Sequence, residues 1–315
     1  MKVLVTGNSG FVGFAIARAL EAFHVDLILP VRSRVDSISN LRCGSQFRVI
    51  GDINETTNWS SCLEGVDAVV HCAGVSGAGQ RANPEKLWAL QSVNVDGTLR
   101  LARQAAAAGV RRFIFLSSIK VNGESTRPNI PFRPEDAAMP SDAYGMSKFE
   151  AEKGLTKICC ESGMDFVIIR PPMVYGPNVK GNFAMLMKLV EYGVPLPLSN
   201  IRNQRSYIAI DNLVSLVIAS ISHPKAANQI FLASDDYDLS TVELLQALSK
   251  AMGKSCRLFS CPPQVLAATA KCFGKTGLAE KILGSLQVDI LRTKHLLGWR
   301  PIVSLEEGLS RCFPK

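Results

Sequence analysis

Lys2-Val3-Leu4-Val5-Thr6-Gly7-Asn8-Ser9-Gly10-Phe11-Val12-Gly13 stands directly behind the first methionine, and an amphipathic AIARALEAF follows it at residues 15–23. A short β-branched run, glycine at every third position and then a helical repeat read as strand, glycine-rich turn and helix. In such a unit Gly7 permits a tight turn, Gly10 lets the backbone approach a pyrophosphate, and Gly13 lets the helix pack closely on the strand. The N–H groups of Phe11, Val12 and Gly13, unpaired at the start of the helix, together with its dipole favour an anion there. The stretch therefore predicts a dinucleotide-binding unit at the amino terminus.

Strands and helices continue to alternate outward from it. Residues 25–31 form a second apolar run ending in Arg32-Ser33-Arg34. An acidic residue at this tip would accept from the ribose 2′-hydroxyl of NAD, whereas arginine suits the 2′-phosphate of NADP. Two readings of Arg32, with Arg34 as helper, stand side by side: a phosphate clamp, or surface loop cations. Residues 47–51 run into Asp52-Ile53, where a carboxylate is placed for the adenine amine, and residues 66–73 (VDAVVHCA) run into Gly74. His71 reads as a packed strand residue rather than a ligand. A helix over 84–108 carries Asn94, and strand 112–116 delivers Ser117-Ser118 to the same sheet edge. Strand 165–170 is stopped by Pro171-Pro172, and VYGPN at 174–178 leaves the sheet. The alternation predicts an α/β fold with a doubly wound parallel sheet. Beyond it, helical patterns at 183–192, 212–222, 240–252, 264–272 and 289–297 lack a second glycine fingerprint. They predict a smaller, mostly helical carboxy-terminal lobe. The expected division is 1–176 for the dinucleotide and 177–315 for a substrate, with some segments returning to the large sheet.

Tyr144-Gly145-Met146-Ser147-Lys148 precedes the run FEAEKGLTKICCES, rich in helix formers up to Ser162. If the stretch is helical, the four-residue offset stacks the Tyr144 phenol and the Lys148 ammonium on one face. A phenol titrates near ~10, and exchanging a proton near neutrality requires a shift of roughly 3 units. A cation about 4 Å away supplies ~4 kcal/mol at an effective dielectric of 20, enough for that shift in a partly dried cleft. Most such pairs are simply solvated helix faces, so the pair gains meaning only from the rest of the chain.

Composition narrows the classes. The chain has 315 residues, 47% hydrophobic and 20% charged, which is ordinary globular usage. No apolar run has the length of a membrane span and no signal-peptide segment precedes the first strand, so the cytoplasm is the expected location. The nine cysteines lack a C-x-x-C pair, pointing to free thiols rather than zinc or a disulfide framework, with no metal expected. The net charge of +8 is dispersed along the chain, which argues for an anionic small-molecule pocket and against nucleic acid.

The set Gly7-x-x-Gly10-x-x-Gly13, Asp52, Ser118, Tyr144-x-x-x-Lys148 and Arg170-Pro171-x-x-x-Tyr175-Gly176-Pro177 resembles the extended short-chain dehydrogenase/reductases, the NAD-dependent epimerase/dehydratase family. The resemblance implies a Rossmann domain with a small substrate lobe, a nucleotide-sugar substrate and a homodimer formed through the helices of Asn94 and Tyr144. It implies Tyr144 as acid–base, Lys148 on the nicotinamide ribose and lowering the phenol's pKa, and Ser118 on the reacting oxygen. Ile53, Ala73, Gly74, Asn94 and Pro171 join the glycine turn as cofactor contacts. Arg205 matches a diphosphate-binding arginine, with Asn182 and Lys180 as further substrate candidates; a strand-end structural role is the alternative for Arg205.

Within the family SSIKVNG, RPPMVYGP and QRSYIAIDNL look most like bacterial reductases of UDP-N-acetyl-4-keto-6-deoxyhexosamines, which serve surface-polysaccharide synthesis. UDP-glucose 4-epimerases are also similar, but usually carry V-Y-G at Val121-Asn122-Gly123, Asn at Met173 and Arg at Leu286. The expectation is thus an NADP-dependent 4-ketoreductase; the alternatives are a 4-epimerase with bound NAD and a non-catalytic NADP sensor. A reductase draws on fresh NADPH each turnover, which fits Arg32. The apolar stretch 264–272 with Lys271 and Lys275 has two readings, packing within the lobe or contact with a membrane-bound transferase.

Overall fold

A computed structural model describes residues 1–33, 45–76, 83–274 and 276–313. The chain runs β1 (Lys2–Thr6), α1 (Phe11–Ala22), β2 (Asp26–Val31), β3 (Gln46–Val49), α2 (Ser60–Leu63), β4 (Ala68–His71), α3 (Pro84–Ala89), α4 (Thr98–Ala107), β5 (Arg112–Leu116), α5 (Ala143–Ser162) and β6 (Asp165–Arg170). There follow β7 (Met173–Tyr175), α6 (Asn182–Glu191), β8 (Arg205–Ala209), α7 (Ile210–Ser222), β9 (Gln229–Leu232), β10 (Asp238–Leu239), α8 (Thr241–Met252), α9 (Pro263–Cys272), α10 (Thr276–Leu283), α11 (Leu291–Leu297) and α12 (Leu305–Arg311).

Seven strands make one parallel sheet in the order β3-β2-β1-β4-β5-β6-β9. Strands such as β5 (RFIFL), buried along their whole length, are what helices on both faces of a parallel sheet demand. On one face Ile16 and Leu20 of α1 and Leu213 and Val217 of α7 pack against Val3, Val5 and Ile114. On the other, Leu101 and Ala105 of α4 and Ala151 and Leu155 of α5 pack against Leu4, Val69 and Phe113. The winding reverses between β1 and β4, which opens a crevice at their carboxyl ends, where ligands bind in such sheets. This is the doubly wound Rossmann architecture expected from the glycine stretch.

The lobe has its own core around Tyr175, Phe183, Tyr207 and Leu244. It also contains a three-stranded sheet, β10-β8-β7, and the helices α10 and α12, of which the sequence pattern disclosed only a strand end at Arg205. Strands of two and three residues carry no periodicity to read. β9, deep in the carboxy-terminal half, joins the large sheet beside β6.

One helix differs from expectation where it matters for the site, and α5 is helical over Tyr144 and Lys148 as expected. The helix over 84–108 is not uniform: Leu90–Gly97, between α3 and α4, is π-helical and carries Asn94. Such bulges frequently mark functional positions. α5 begins at Ala143, earlier than its strong helix formers, because the Asp142 carboxylate caps it by accepting from the Gly145 N–H at 2.7 Å. Tyr144 is thereby helical. Among the described residues no helix is long and apolar enough to cross a membrane.

Candidate functional site

The glycine turn is built for close approach. Gly7 has φ +69°, a Cβ there would lie 2.7 Å from the Ala73 nitrogen, and a Cβ on Gly13 would lie 2.2 Å from the Gly7 carbonyl oxygen. Both are backbone atoms that cannot yield, so α1 seats on β1 and β4 only with glycine at these positions. The Gly10 N–H donates to the Gly7 carbonyl at 2.8 Å, and no acidic side chain occupies the first turn of α1. Asn8 in the same turn is buried, and its amide nitrogen has no partner among the described residues. Helix-start N–H groups plus this orphaned donor form a site that fits an anionic diphosphate.

Gly74, at the exit of β4, lies between two of the predicted residues: a Cβ there would be 3.0 Å from Asn94 Oδ1 and 3.4 Å from Lys148 Nζ. Lys148 is 3% exposed, and its ammonium donates to the Leu116 carbonyl at 2.9 Å and stands 4.6 Å from the centroid of the Phe115 ring. Burial lowers it to about 8, while Cys72 and Glu152 pull the other way. The Tyr144 phenol, half-buried one turn earlier, is hydrogen-bonded to Ser118. Thus Ser118, Tyr144, Lys148, Asn94, Gly74, Ala73 and Gly7 converge at the carboxyl ends of β1, β4 and β5.

In the ligand-free protein the Tyr144 phenol is raised to about 12 rather than depressed, first by burial and then by the nearby Asp142 carboxylate, with the Ser118 hydrogen bond opposing. Lys148 does not lower it, because its ammonium is turned to the Leu116 carbonyl and is itself costly to keep charged in this dry setting. The phenol is accordingly held in its protonated form.

One residue that holds the cluster, Glu152, escaped the sequence reading. Glu152, a turn beyond Lys148, is 3% exposed and takes Arg170 bidentately, with Nε at 3.0 Å and Nη2 at 2.6 Å. Glu152 also accepts from the Ser117 hydroxyl, and Arg170 reaches Asn122 Oδ1 at 3.0 Å. The spacing Lys148–Glu152, continuing the same helix face, was the available signal. Asn94 is fully buried: Oδ1 accepts from the Val75 N–H at 2.8 Å, and Nδ2 donates to the Val75 carbonyl and to Ser147 Oγ, each at 3.0 Å. It ties the exit of β4 to α5. His71 sits between Thr6 at 2.7 Å and Thr98 at 2.9 Å, and burial drives its pKa to about 3, so it is a neutral packed residue.

The other predicted residues are scattered. Arg32 is exposed just past β2, and Arg34 lies outside the described residues. Asp52 is exposed, its backbone carbonyl taking the Thr57 hydroxyl at 2.9 Å; Ile53 packs against Gly97 of the π-helical turn. The Pro171 carbonyl accepts from Ile119 N–H at 3.0 Å, which fixes the backbone after Ser118. Arg205 is buried and donates to the Gly284 carbonyl at 2.8 Å, with Tyr207 and Glu124 beside it. Asn182 is exposed at the start of α6, and Lys180, with Ser9, Gly10 and Phe11, lines a cavity of about 1000 Å³ between α1 and α7.

A nucleotide cradle at the switch point with Ser, Tyr and Lys against it defines a nicotinamide-dependent short-chain dehydrogenase/reductase. The profile of the NAD dependent epimerase/dehydratase family matches residues 3–233, and the chain belongs to that family. It is similar to the UDP-glucose 4-epimerase of Vibrio cholerae, 45% identical over 98% of this chain and 94% of the relative. Among solved structures, the UDP-glucuronic acid 4-epimerase of Bacillus cereus in complex with UDP-glucuronic acid and NAD superposes with a TM-score of 0.80 at 22% identity, covering 99% of this chain and 98% of the other. The Thermus thermophilus UDP-glucose 4-epimerase complex with NAD gives 0.78 at 22% identity, covering 99% and 97%.

Proposed function

We propose that the protein is a 4-epimerase of a UDP-hexose that retains NAD, with the cofactor on residues 1–176 and the sugar nucleotide on residues 177–315. The observation that carries the reading is the convergence of Ser118, Tyr144 and Lys148 beside the glycine turn, in a chain 45% identical along nearly its full length to a protein named for that activity. A bound nicotinamide would supply reversible hydride transfer at the sugar carbon. Tyr144 moves the proton of the C4 oxygen, Ser118 holds that oxygen through its hydroxyl, and Lys148, already fixed at Leu116, is placed for the nicotinamide ribose. Asn8 and the first turn of α1 hold the diphosphate of the dinucleotide. Arg205 is assigned to the diphosphate of the sugar nucleotide, with Asn182 beside it.

The 4-ketoreductase reading keeps a specific observation in its favour. A phenol that is protonated in the ligand-free protein can donate to a ketone oxygen directly, whereas the epimerase must first take up a proton. NADP rather than NAD rests on Arg32 at the tip of β2. Releasing the nucleotide from purified protein and assaying UDP-hexoses separates the two. Stoichiometric NAD with interconversion of C4 epimers supports the epimerase; an empty protein that consumes NADPH with a UDP-4-keto sugar overturns it. The homodimer, a further part of the proposal, draws support from Leu87, Trp88 and Met146, which are exposed on α3 and α5.

A further inference from the structure

Between Ser118 and Tyr144 the chain makes an excursion of some length, and one residue closes it. Lys120 lies two positions after Ser118, and its backbone N–H donates to Ser118 Oγ at 3.3 Å. Its carbonyl oxygen is against Gly145, where a Cβ would come within 2.9 Å. Its ammonium binds the Asp142 carboxylate, which caps α5 directly ahead of Tyr144, and Glu124 at 2.5 Å. The three side chains are 21% to 32% exposed, so the cluster is partly shielded and its charges act over a short range. Glu124 in turn stands beside Arg205.

The geometry points to Lys120 as a positioning residue that clamps the Ser118 turn onto the start of the Tyr144 helix and neutralises the Asp142 carboxylate next to the phenol. The role rests on Tyr144 being the acid–base group. The groups that act on Tyr144 are Asp142, from its own helix end, and Ser118, from the turn after β5; Lys120 reaches it through Asp142 with Glu124 behind, and Lys148, one turn on, is turned to the Leu116 carbonyl. Of these Asp142 raises the phenol and Ser118 lowers it. Lys120 therefore acts on Tyr144 through the carboxylate it covers. Because asparagine caps a helix as well as aspartate does, Asp142→Asn removes the charge and leaves the cap.

The two substitutions have opposite signs. Lys120→Met leaves Asp142 uncovered and moves the Tyr144 limb of the pH–rate profile upward by about half a unit to one unit; Asp142→Asn moves it downward by a similar amount. The double variant Lys120→Met/Asp142→Asn returns toward the wild type, Lys120→Arg restores most of it, and KM for the sugar nucleotide changes less than kcat. Shifts of one sign for both variants, or no shift in either with only a lowered Tm, overturn the proposal. Titrating Tyr144 by NMR on isotope-labelled tyrosine, with its resonance assigned from Tyr144→Phe, reads the same two shifts without turnover. A protein that turns over no nucleotide sugar but shows the opposite NMR shifts therefore sinks the proposed reaction and leaves Lys120 in its role.

Discussion

The two ends of the crevice are built differently. At the β5 end Lys148, Asn94, Glu152 and Arg170 are all buried, and each is held by groups from at least one other element. At the β2–β3 end Arg32 and Asp52 project into solvent. The first end has its geometry fixed by folding, so altering one member disturbs its neighbours. The second consists of side chains whose loss unsettles nothing else. On the proposed reading, chemistry is specified by the core and the choice between NAD and NADP by the surface, which would make the former hard to alter and the latter easy.

The contrast breaks first at Tyr144. Tyr144→Phe removes one oxygen at the interlocked end and is expected to lower kcat by about 10³-fold, within the range for a general acid–base group, with an unchanged Tm. A loss under tenfold would remove the phenol from the chemistry. Next is Arg170→Met, which leaves Glu152 buried without its cation. The expected cost is about 3–5 kcal/mol in urea unfolding, against nearly nothing for an exposed pair such as Lys250–Glu306. Equal effects for the two would show that burial does not separate them.

Lys148 sharpens the same point through pH. Its value in the folded protein is about 8 against the usual 10.5, so between these values the unfolded chain binds a proton that the folded chain has released. Stability from this residue therefore rises with pH across that window, and below it the buried charge is a standing cost. In ligand-free protein, wild type should gain on Lys148→Met as pH climbs from about 8 toward 10.5; a flat difference would mean that the ammonium is more solvated than its 3% exposure implies.

The parts of this arrangement legible in the sequence were those governed by local rules. Gly7, Gly10 and Gly13 announced the turn because only backbone geometry is at stake, and the four-residue spacing of Tyr144 and Lys148 needed only a helix. The contacts that tune them were not legible. Glu152 meets Arg170 and Ser117 across 18 and 35 residues, and Asp142 meets Lys120 across 22, pairings that only the sheet order brings about. The raised phenol of the ligand-free protein has the same origin: the helix face follows from the spacing, but which side of it is dry, and where the ammonium turns, depends on β5 and its Leu116 carbonyl. The short strands β7 and β10 were missed because pairing with β8, rather than any pattern of their own, makes them strands.

The smallest effect belongs to the exposed end. Arg32→Ala leaves a surface position with no packing to lose, so the change in stability should fall within about 0.5 kcal/mol. If Arg32 clamps a 2′-phosphate, losing the charge-assisted contact lowers the preference for the phosphorylated cofactor by about tenfold, equivalent to ~1.4 kcal/mol. Binding of NADPH and NADH to wild type and variant, measured at two salt concentrations, checks this, since a solvent-exposed ion contact weakens with ionic strength. An unchanged ratio would assign Arg32 to the solvated surface. It would also remove one ground for an NADP-consuming reductase while leaving the Ser118–Tyr144–Lys148 cluster as it is.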